Sequence, residues 1–213
     1  MTRWYSEKKK EHFYKAAKKS GYRARSAFKL KQIQEKFGIL KEGSFVVDLG
    51  AAPGGWSQVA KEIVGEKGTV IGMDLSPIQP IKGITFLRGD MTHEASLEEL
   101  INIIGERKAD VVLSDMSPDI SGNYSVDQAR SIYLSEQALI TAEALLKPGG
   151  NFICKVFSGE DLKDFIKELN EKFRTVKQFS PPASRKTSSE SYIIAKFFQK
   201  RWFFLIFIII VNK

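Results

Sequence analysis

From about residue 45 the chain alternates between short apolar runs and longer stretches whose apolar residues recur at helical spacing. Phe45-Val46-Val47-Asp48-Leu49, Thr69-Val70-Ile71-Gly72-Met73, Ile84-Thr85-Phe86-Leu87, Ala109-Asp110-Val111-Val112-Leu113-Ser114 and Asn151 to Phe157 predict five strands. Runs this apolar fit strands covered on both faces. Helices are predicted from the glycine turn after Leu49 through about Val64, over 95–104, over 126–146 before Pro148-Gly149-Gly150, and over 159–172. Two further β runs lie near 174–179 and 190–198. Ahead of the first strand, 6–19 and 24–37 read as helices, the second with Ala27, Phe28, Ile33 and Phe37 facing inward and Gly38 as its stop. Strands alternating with helices predict an α/β, mainly parallel, doubly wound sheet. Such sheets bind ligands outside the carboxyl ends of their strands, at the switch point.

Composition narrows the class. A chain of 213 residues that is 43% hydrophobic and 27% charged can bury the core of one folded domain. Its single cysteine, Cys154, excludes an intramolecular disulfide and a cysteine-based zinc site, and fits a reducing cytosol. His12 and His93 lack metal-ligand spacing, so no metal is expected. Charge is distributed unevenly. Residues 1–41 hold thirteen Lys and Arg against Glu7, Glu11 and Glu35, which exceeds the formal +8 of the whole chain. That basic stretch is interleaved with Trp4, Tyr5, Phe13, Tyr14 and Tyr22, a pattern suited to phosphate contacts with occasional base stacking. The bland alternative is a solvated lysine-rich surface. The N-terminus has no signal-peptide core. Trp202 to Val211 is continuously apolar but too short for a membrane-spanning helix, which needs ~20 residues. An edge strand, a partner-binding tail or a weak surface anchor would each suit it.

The candidate chemistry sits at strand ends. Val47-Asp48-Leu49-Gly50-Ala51-Ala52-Pro53-Gly54-Gly55-Trp56 is a strand, a glycine turn and a helix start. It is neither a dinucleotide G-x-G-x-x-G, because Ala52 stands at the second glycine, nor a P-loop, because no Gly-Lys-Ser/Thr follows. Asp74 ends the second strand, where a carboxylate can accept both ribose hydroxyls of a nucleoside cofactor. Asp90 follows the third strand, placed for an adenine amino group, and Asp115 follows the fourth. Singly, each reads as a turn or cap residue; as a set on one sheet edge they are more specific. Lys155 lies in an apolar strand and, if it faces a core, needs a partner, because an unpaired buried charge is costly. Lys29, Asp115 and Glu190 are the candidates to join it in a cluster that sets its own protonation.

These segments resemble the FtsJ/RrmJ (RlmE-type) family of S-adenosylmethionine-dependent ribosomal RNA ribose 2′-O-methyltransferases. The resemblance runs from Ser20-Gly21-Tyr22-Arg23-Ala24-Arg25-Ser26-Ala27-Phe28-Lys29-Leu30 to Ile194. It rests on that segment, on Asp48 to Gln58, Ser114-Asp115-Met116-Ser117-Pro118, Lys155-Val156-Phe157 and Lys186-Thr187-Ser188-Ser189-Glu190-Ser191-Tyr192. It implies a Rossmann-like class I methyltransferase fold, seven-stranded with an antiparallel last strand. It implies a catalytic Lys29, Asp115, Lys155 and Glu190, and cofactor contacts at Gly54, Trp56, Asp74, Asp90 and Asp115. The implied substrate is a uridine ribose in large-subunit ribosomal RNA, with tRNA, an mRNA cap or a non-catalytic role in ribosome assembly as alternatives. On this reading, 1–41 is a basic RNA-binding helical segment, 42–199 the methyltransferase domain and 200–213 an apolar extension outside the family pattern. The expected protein is a cytoplasmic monomer that binds no DNA and makes no stable membrane insertion. A dehydrogenase would need the missing dinucleotide fingerprint. A small-molecule methyltransferase would leave the basic N-terminal segment unexplained.

Overall fold

The computed structural model describes residues 17, 19–184 and 189–199. Seven strands form one sheet in the order β3-β2-β1-β4-β5-β7-β6. They are β1 (Phe45–Leu49), β2 (Thr69–Asp74), β3 (Thr85–Arg88), β4 (Ala109–Ser114), β5 (Leu146–Phe157), β6 (Phe173–Phe179) and β7 (Glu190–Phe198). The β1–β2, β2–β3, β1–β4 and β4–β5 pairs are parallel, and β7 runs antiparallel to both β5 and β6. The chain steps outward from β1 to β3 and then returns to lay β4 on the other side of β1, so the switch point lies between β1 and β4.

Among the described residues the sheet is covered by α1 (Ala27–Phe37), α2 (Gly55–Val64), α3 (Glu94–Ile104), α4 (Tyr124–Leu145) and α5 (Leu162–Lys172). Two apolar layers follow from the period-2 alternation of the strands. Phe45, Val47 and Leu49 of β1 pack in one layer with Leu100 of α3, Leu139 of α4 and Phe165 of α5. Val46 packs in the other with Leu30 and Ile33 of α1 and Val59 of α2. Burial on both faces explains why β1 reads as an unbroken apolar run.

Several boundaries differ from expectation, each for a local reason. The predicted helix over 24–37 begins at Ala27, because Arg23 is drawn away by the Gln58 side chain, which accepts from its backbone N–H. Its inward positions are Ala27, Lys29, Leu30 and Ile33, while Phe28 and Phe37 are half-buried. Gly38 does stop it, in the left-handed region at φ 58°, with its N–H donating to Gln34 O. β5 starts at Leu146, and Pro148-Gly149-Gly150 lies inside it, across a register shift opposite Ala109 and Val111. The helix expected over 159–172 begins at Leu162. Of the helix expected over 6–19, residues 17 and 19 are described and both are helical; its other residues and the apolar run 202–211 lie outside the described residues. Among the described residues no helix is long and apolar enough to cross a membrane. Cys154 is a buried free thiol, raised by burial well above the ordinary range.

Candidate active site

At the carboxyl edge of the sheet, the ends of β1, β2, β3 and β4 enclose a cavity of about 340 Å³. That volume is within the usual range for small-molecule sites, about 300–1,000 Å³. Gly50, Asp74, Asp90, Met91 and Asp115 are among its walls. The loop from Gly50 to Gly54 forms one side. Gly50 has φ 72°, and a Cβ there would lie 2.2 Å from Met116 Cγ, so glycine is required by both backbone and space. Asp74 holds the loop in place: Oδ2 accepts from Ala52 N at 2.9 Å and Oδ1 from Ser76 N at 2.8 Å. Each oxygen keeps a further lone pair for a ligand hydroxyl. Asp90 accepts from Thr92 N and Thr92 Oγ1 at 2.9 and 2.7 Å, and these bonds hold its carboxyl below the ordinary value. Three of the predicted strand-end carboxylates therefore meet on one cavity.

Gly54 and Trp56 do not line it. Gly54, at φ 108°, caps the N-terminus of α2. The Trp56 side chain is 2% exposed, donates from Nε1 to Ser26 O at 2.9 Å, and packs against the Tyr192 ring. Only their backbone groups remain for a ligand. The loop carries a second, less visible anchor. Arg23 donates from Nη1 to Pro53 O and Gln79 O, at 3.3 and 2.5 Å, and from Nη2 to Pro80 O at 2.9 Å. One guanidinium thus joins the segment before α1 to the glycine loop and to the loop after β2.

Beneath the loop, Asp48 is fully buried. Its Oδ2 accepts from Ser57 Oγ at 2.6 Å, and its Oδ1 has no hydrogen-bond partner. Burial, opposed by Ser57 and reinforced by the charges of Asp115 and Asp74, raises its carboxyl to about 7.

Lys29, Asp115, Lys155 and Glu190 converge from α1, β4, β5 and β7. Antiparallel pairing sets Tyr192 opposite Lys155 and Glu190 opposite Phe157. The start of β7 thereby reaches the same edge as the ends of β4 and β5. Lys155 is 8% exposed; its Nζ donates to the Asp115 carbonyl at 2.8 Å and stands 3.4 Å from Asp115 Oδ1. Lys29, equally buried, pairs with Glu190 Oε1 at 2.5 Å. Burial pushes the Glu190 carboxyl up, but Lys29, then Lys155 and Ser184, outweigh it and hold the group below its ordinary value. Tyr192 completes the cluster. It is fully buried, donates from Oη to Asp115 Oδ1 at 2.6 Å, and lies under Lys29, whose Nζ is 5.6 Å from the ring centroid. Burial, then the charges of Asp115 and Glu190, raise its phenol well above the ordinary value. Sequence reasoning did not single out Tyr192. The available signal was its place two residues after Glu190 on a strand, which puts both side chains on one face.

Two amines, two acids and a phenol beside a ligand cavity can orient and deprotonate a hydroxyl. Among the described residues no cluster of His, Cys, Asp and Glu has the makings of a metal site.

Comparison with known proteins fits this geometry. Residues 22–198 match the FtsJ-like methyltransferase family. The chain is 53% identical over 187 residues to the Ribosomal RNA large subunit methyltransferase E of Methanothrix thermoacetophila, covering 88% of this chain and 72% of that protein. It is 48% identical over 202 residues to the protein of the same name from Methanobrevibacter smithii, covering 94% and 96%. Among solved structures, one described as a ribosomal RNA methyltransferase of Plasmodium falciparum superposes with a TM-score of 0.78 at 28% identity, over 84% of this chain and all of that one. A matched segment of this length and relatives of this identity leave one conclusion: the chain belongs to the FtsJ-like methyltransferase family.

Proposed function

We propose that this methyltransferase moves a methyl group from S-adenosylmethionine to the 2′-oxygen of a uridine ribose in large-subunit ribosomal RNA. The observation that carries the reading is the meeting of a carboxylate-lined cavity with a buried lysine at one residue, Asp115, which belongs to both. The names of the relatives support the RNA class, and the resemblance of the Lys29, Asp115, Lys155 and Glu190 set supports the ribose oxygen.

The cavity fits a nucleoside-bearing methyl donor. Asp74 would take the ribose hydroxyls and Asp90 the adenine amino group. The backbone from Gly50 to Trp56, with no Cβ at Gly50 or Gly54, would face the amino-acid end. The unpartnered Asp48 Oδ1 beneath that loop suits a donor that carries an ammonium group. When bound, the donor supplies an electrophilic sulfonium methyl.

The chain's own groups manage the acceptor. Lys155 Nζ, fixed by the Asp115 carbonyl, takes the 2′-hydroxyl proton as a neutral amine while the oxygen–methyl bond forms and the sulfur–methyl bond of the donor breaks, the thioether departing with the sulfur electron pair. Asp115, locked by Tyr192, orients that amine. Lys29 neutralises Glu190 at the end where substrate phosphate would enter. Positioning matters here because a ribose hydroxyl is a weak nucleophile near neutral pH. The basic stretch 1–41 supplies phosphate contacts. We further place the protein in the cytoplasm as a monomer.

The test is transfer of tritium from methyl-labelled S-adenosylmethionine, comparing unmodified large ribosomal subunits, tRNA and capped mRNA. Label at a uridine 2′-O-methyl of the large-subunit RNA supports the assignment. Label confined to tRNA, caps or a base carbon overturns it.

A further inference from the structure

One exposed aromatic at this edge is explained neither by the core nor by the cavity. Tyr124, the first residue of α4, has 59% of its surface open, next to a loop that also exposes Ile120 at 64%. Tyr124 and Ile120 lie four residues apart and both leave apolar surface open.

The ring is held, not loose. Its Oη donates to Ser158 O at 2.5 Å. Its backbone is fixed by Asn123, whose side chain accepts from Ser125 N and Val126 N at the start of α4. The preceding loop is tied down by Asp127, which accepts from Ser121 N and Oγ at 2.7 Å and from Gly122 N at 3.2 Å. Those bonds keep the Asp127 carboxyl low and occupied. Ser158, the anchor of the phenol, donates in turn from its N–H to Ser189 O, next to Glu190. Two hydrogen bonds therefore lead from the Tyr124 ring to the catalytic cluster. Ser158 also stands three residues after Lys155, immediately past the end of the same strand.

Charge selects what such a ring can meet. The chain around it carries Asp119, Glu160 and Asp161, all exposed. Among the described residues the same segments also carry exposed Asp164 and two cations, Arg130, which donates to Asp119 O at 3.4 Å, and Lys163, so acids outnumber bases there. A phosphate is disfavoured in this setting, whereas the uncharged face of a base is not. Resting on the function proposed above, we propose that the Tyr124 ring is a stacking platform for an unpaired base of the RNA, adjoining the ribose that is methylated. Stacking of a base on an aromatic ring is insensitive to base identity, so this contact would position the strand rather than read it. A ring already fixed loses little freedom when the base arrives.

Steady-state kinetics on the full chain, with unmodified large ribosomal subunits as acceptor, test the idea in a Tyr124→Phe, Tyr124→Leu and Tyr124→Ala series. Ala and Leu should raise KM for the RNA by roughly 5- to 150-fold, the range for one stacked base. Phe, which keeps the π-face and loses only the Ser158 bond, should stay near the parent. Affinity for S-adenosylmethionine, read by calorimetry, should not change across the series, which separates a substrate contact from general damage. A parental KM in the Ala variant, or Leu performing as well as Phe, would overturn the platform while leaving the proposed function standing. A parent protein that labels no RNA would overturn both.

Discussion

Tyr192 Oη and Asp115 Oδ1 are joined at 2.6 Å across 77 residues of sequence, between a fully buried phenol and a carboxylate on the cavity wall. The same aspartate receives Lys155 Nζ at its main-chain carbonyl. The phenol holds the carboxylate, and the carbonyl holds the amine. Tyr192→Phe keeps the ring against Trp56 and removes only the bond. Leaving a buried carboxylate short of one donor costs about 1–3 kcal/mol. We expect lower kcat, little change in KM for the methyl donor, and a shifted pH–rate profile. A profile identical to the parent's would make Tyr192 a packing residue only.

Lys155→Ala should abolish methyl transfer by a factor of ~10²–10⁴ while the donor still binds. Lys155 touches Asp115 and not the Asp74 or Asp90 end of the cavity. Because the change alters a coupled buried cluster, a thermal melt must accompany the assay. A folded variant turning over at the parental rate excludes Lys155 from proton handling.

Asp74→Ala should remove most of the donor affinity seen by calorimetry, through two routes. The ribose loses its acceptors, and Ala52 N loses the bond that holds the glycine loop. Asp74→Asn keeps an acceptor for one of these. It should bind more weakly than the parent and more tightly than the alanine variant. Equal binding by all three proteins would remove Asp74 from the site.

Arg23 bridges three carbonyls that a lysine cannot span, because only the guanidinium presents several donors in a fixed fork. Arg23→Lys should therefore behave like Arg23→Ala, raising KM for the donor through a loosened glycine loop. Full rescue by lysine would mean that only the charge matters.

Asp48 predicts a pH dependence of stability. Its carboxyl ordinarily titrates near 3.8 and is raised to about 7 in the fold. Between those values the native state binds more proton than the unfolded chain, so stability falls as pH rises from about 4 to 7 and then levels. Asp48→Asn removes this contribution. Its melting temperature should exceed the parent's by an amount that grows from pH 5 to 7.5. A gap constant across that range would show that Asp48 does not titrate there.

The sheet was legible in the chain because each strand is apolar and bounded by glycine, proline or an acid, and β1 to β5 are in place with the predicted strand-end acids on one cavity. What escaped was set by contacts distant in sequence. The resemblance places Trp56 among the cofactor contacts, and no local pattern shows that its ring fills the layer between α2 and β7. Phe28 reads as inward at helical spacing, but the inward place beside it belongs to Lys29, whose charge is met by Glu190 161 residues away. Arg23 lies in a basic segment suited to phosphate, and no local pattern distinguishes it from its neighbours as a loop clamp.

The reversed strand β7 has a consequence for how the protein is made. It carries Glu190 and Tyr192 back to meet Lys29, so the site unites an early helix with the last strand of the sheet. A polypeptide still on the ribosome, with β1 to β5 emerged and β7 not, lacks the acid that pairs with Lys29 and the phenol that holds Asp115. Competence therefore arrives late and all at once, when the final hairpin docks. A nascent chain or a product cut ahead of Glu190 carries Lys29, Asp115 and Lys155 without the groups that position them.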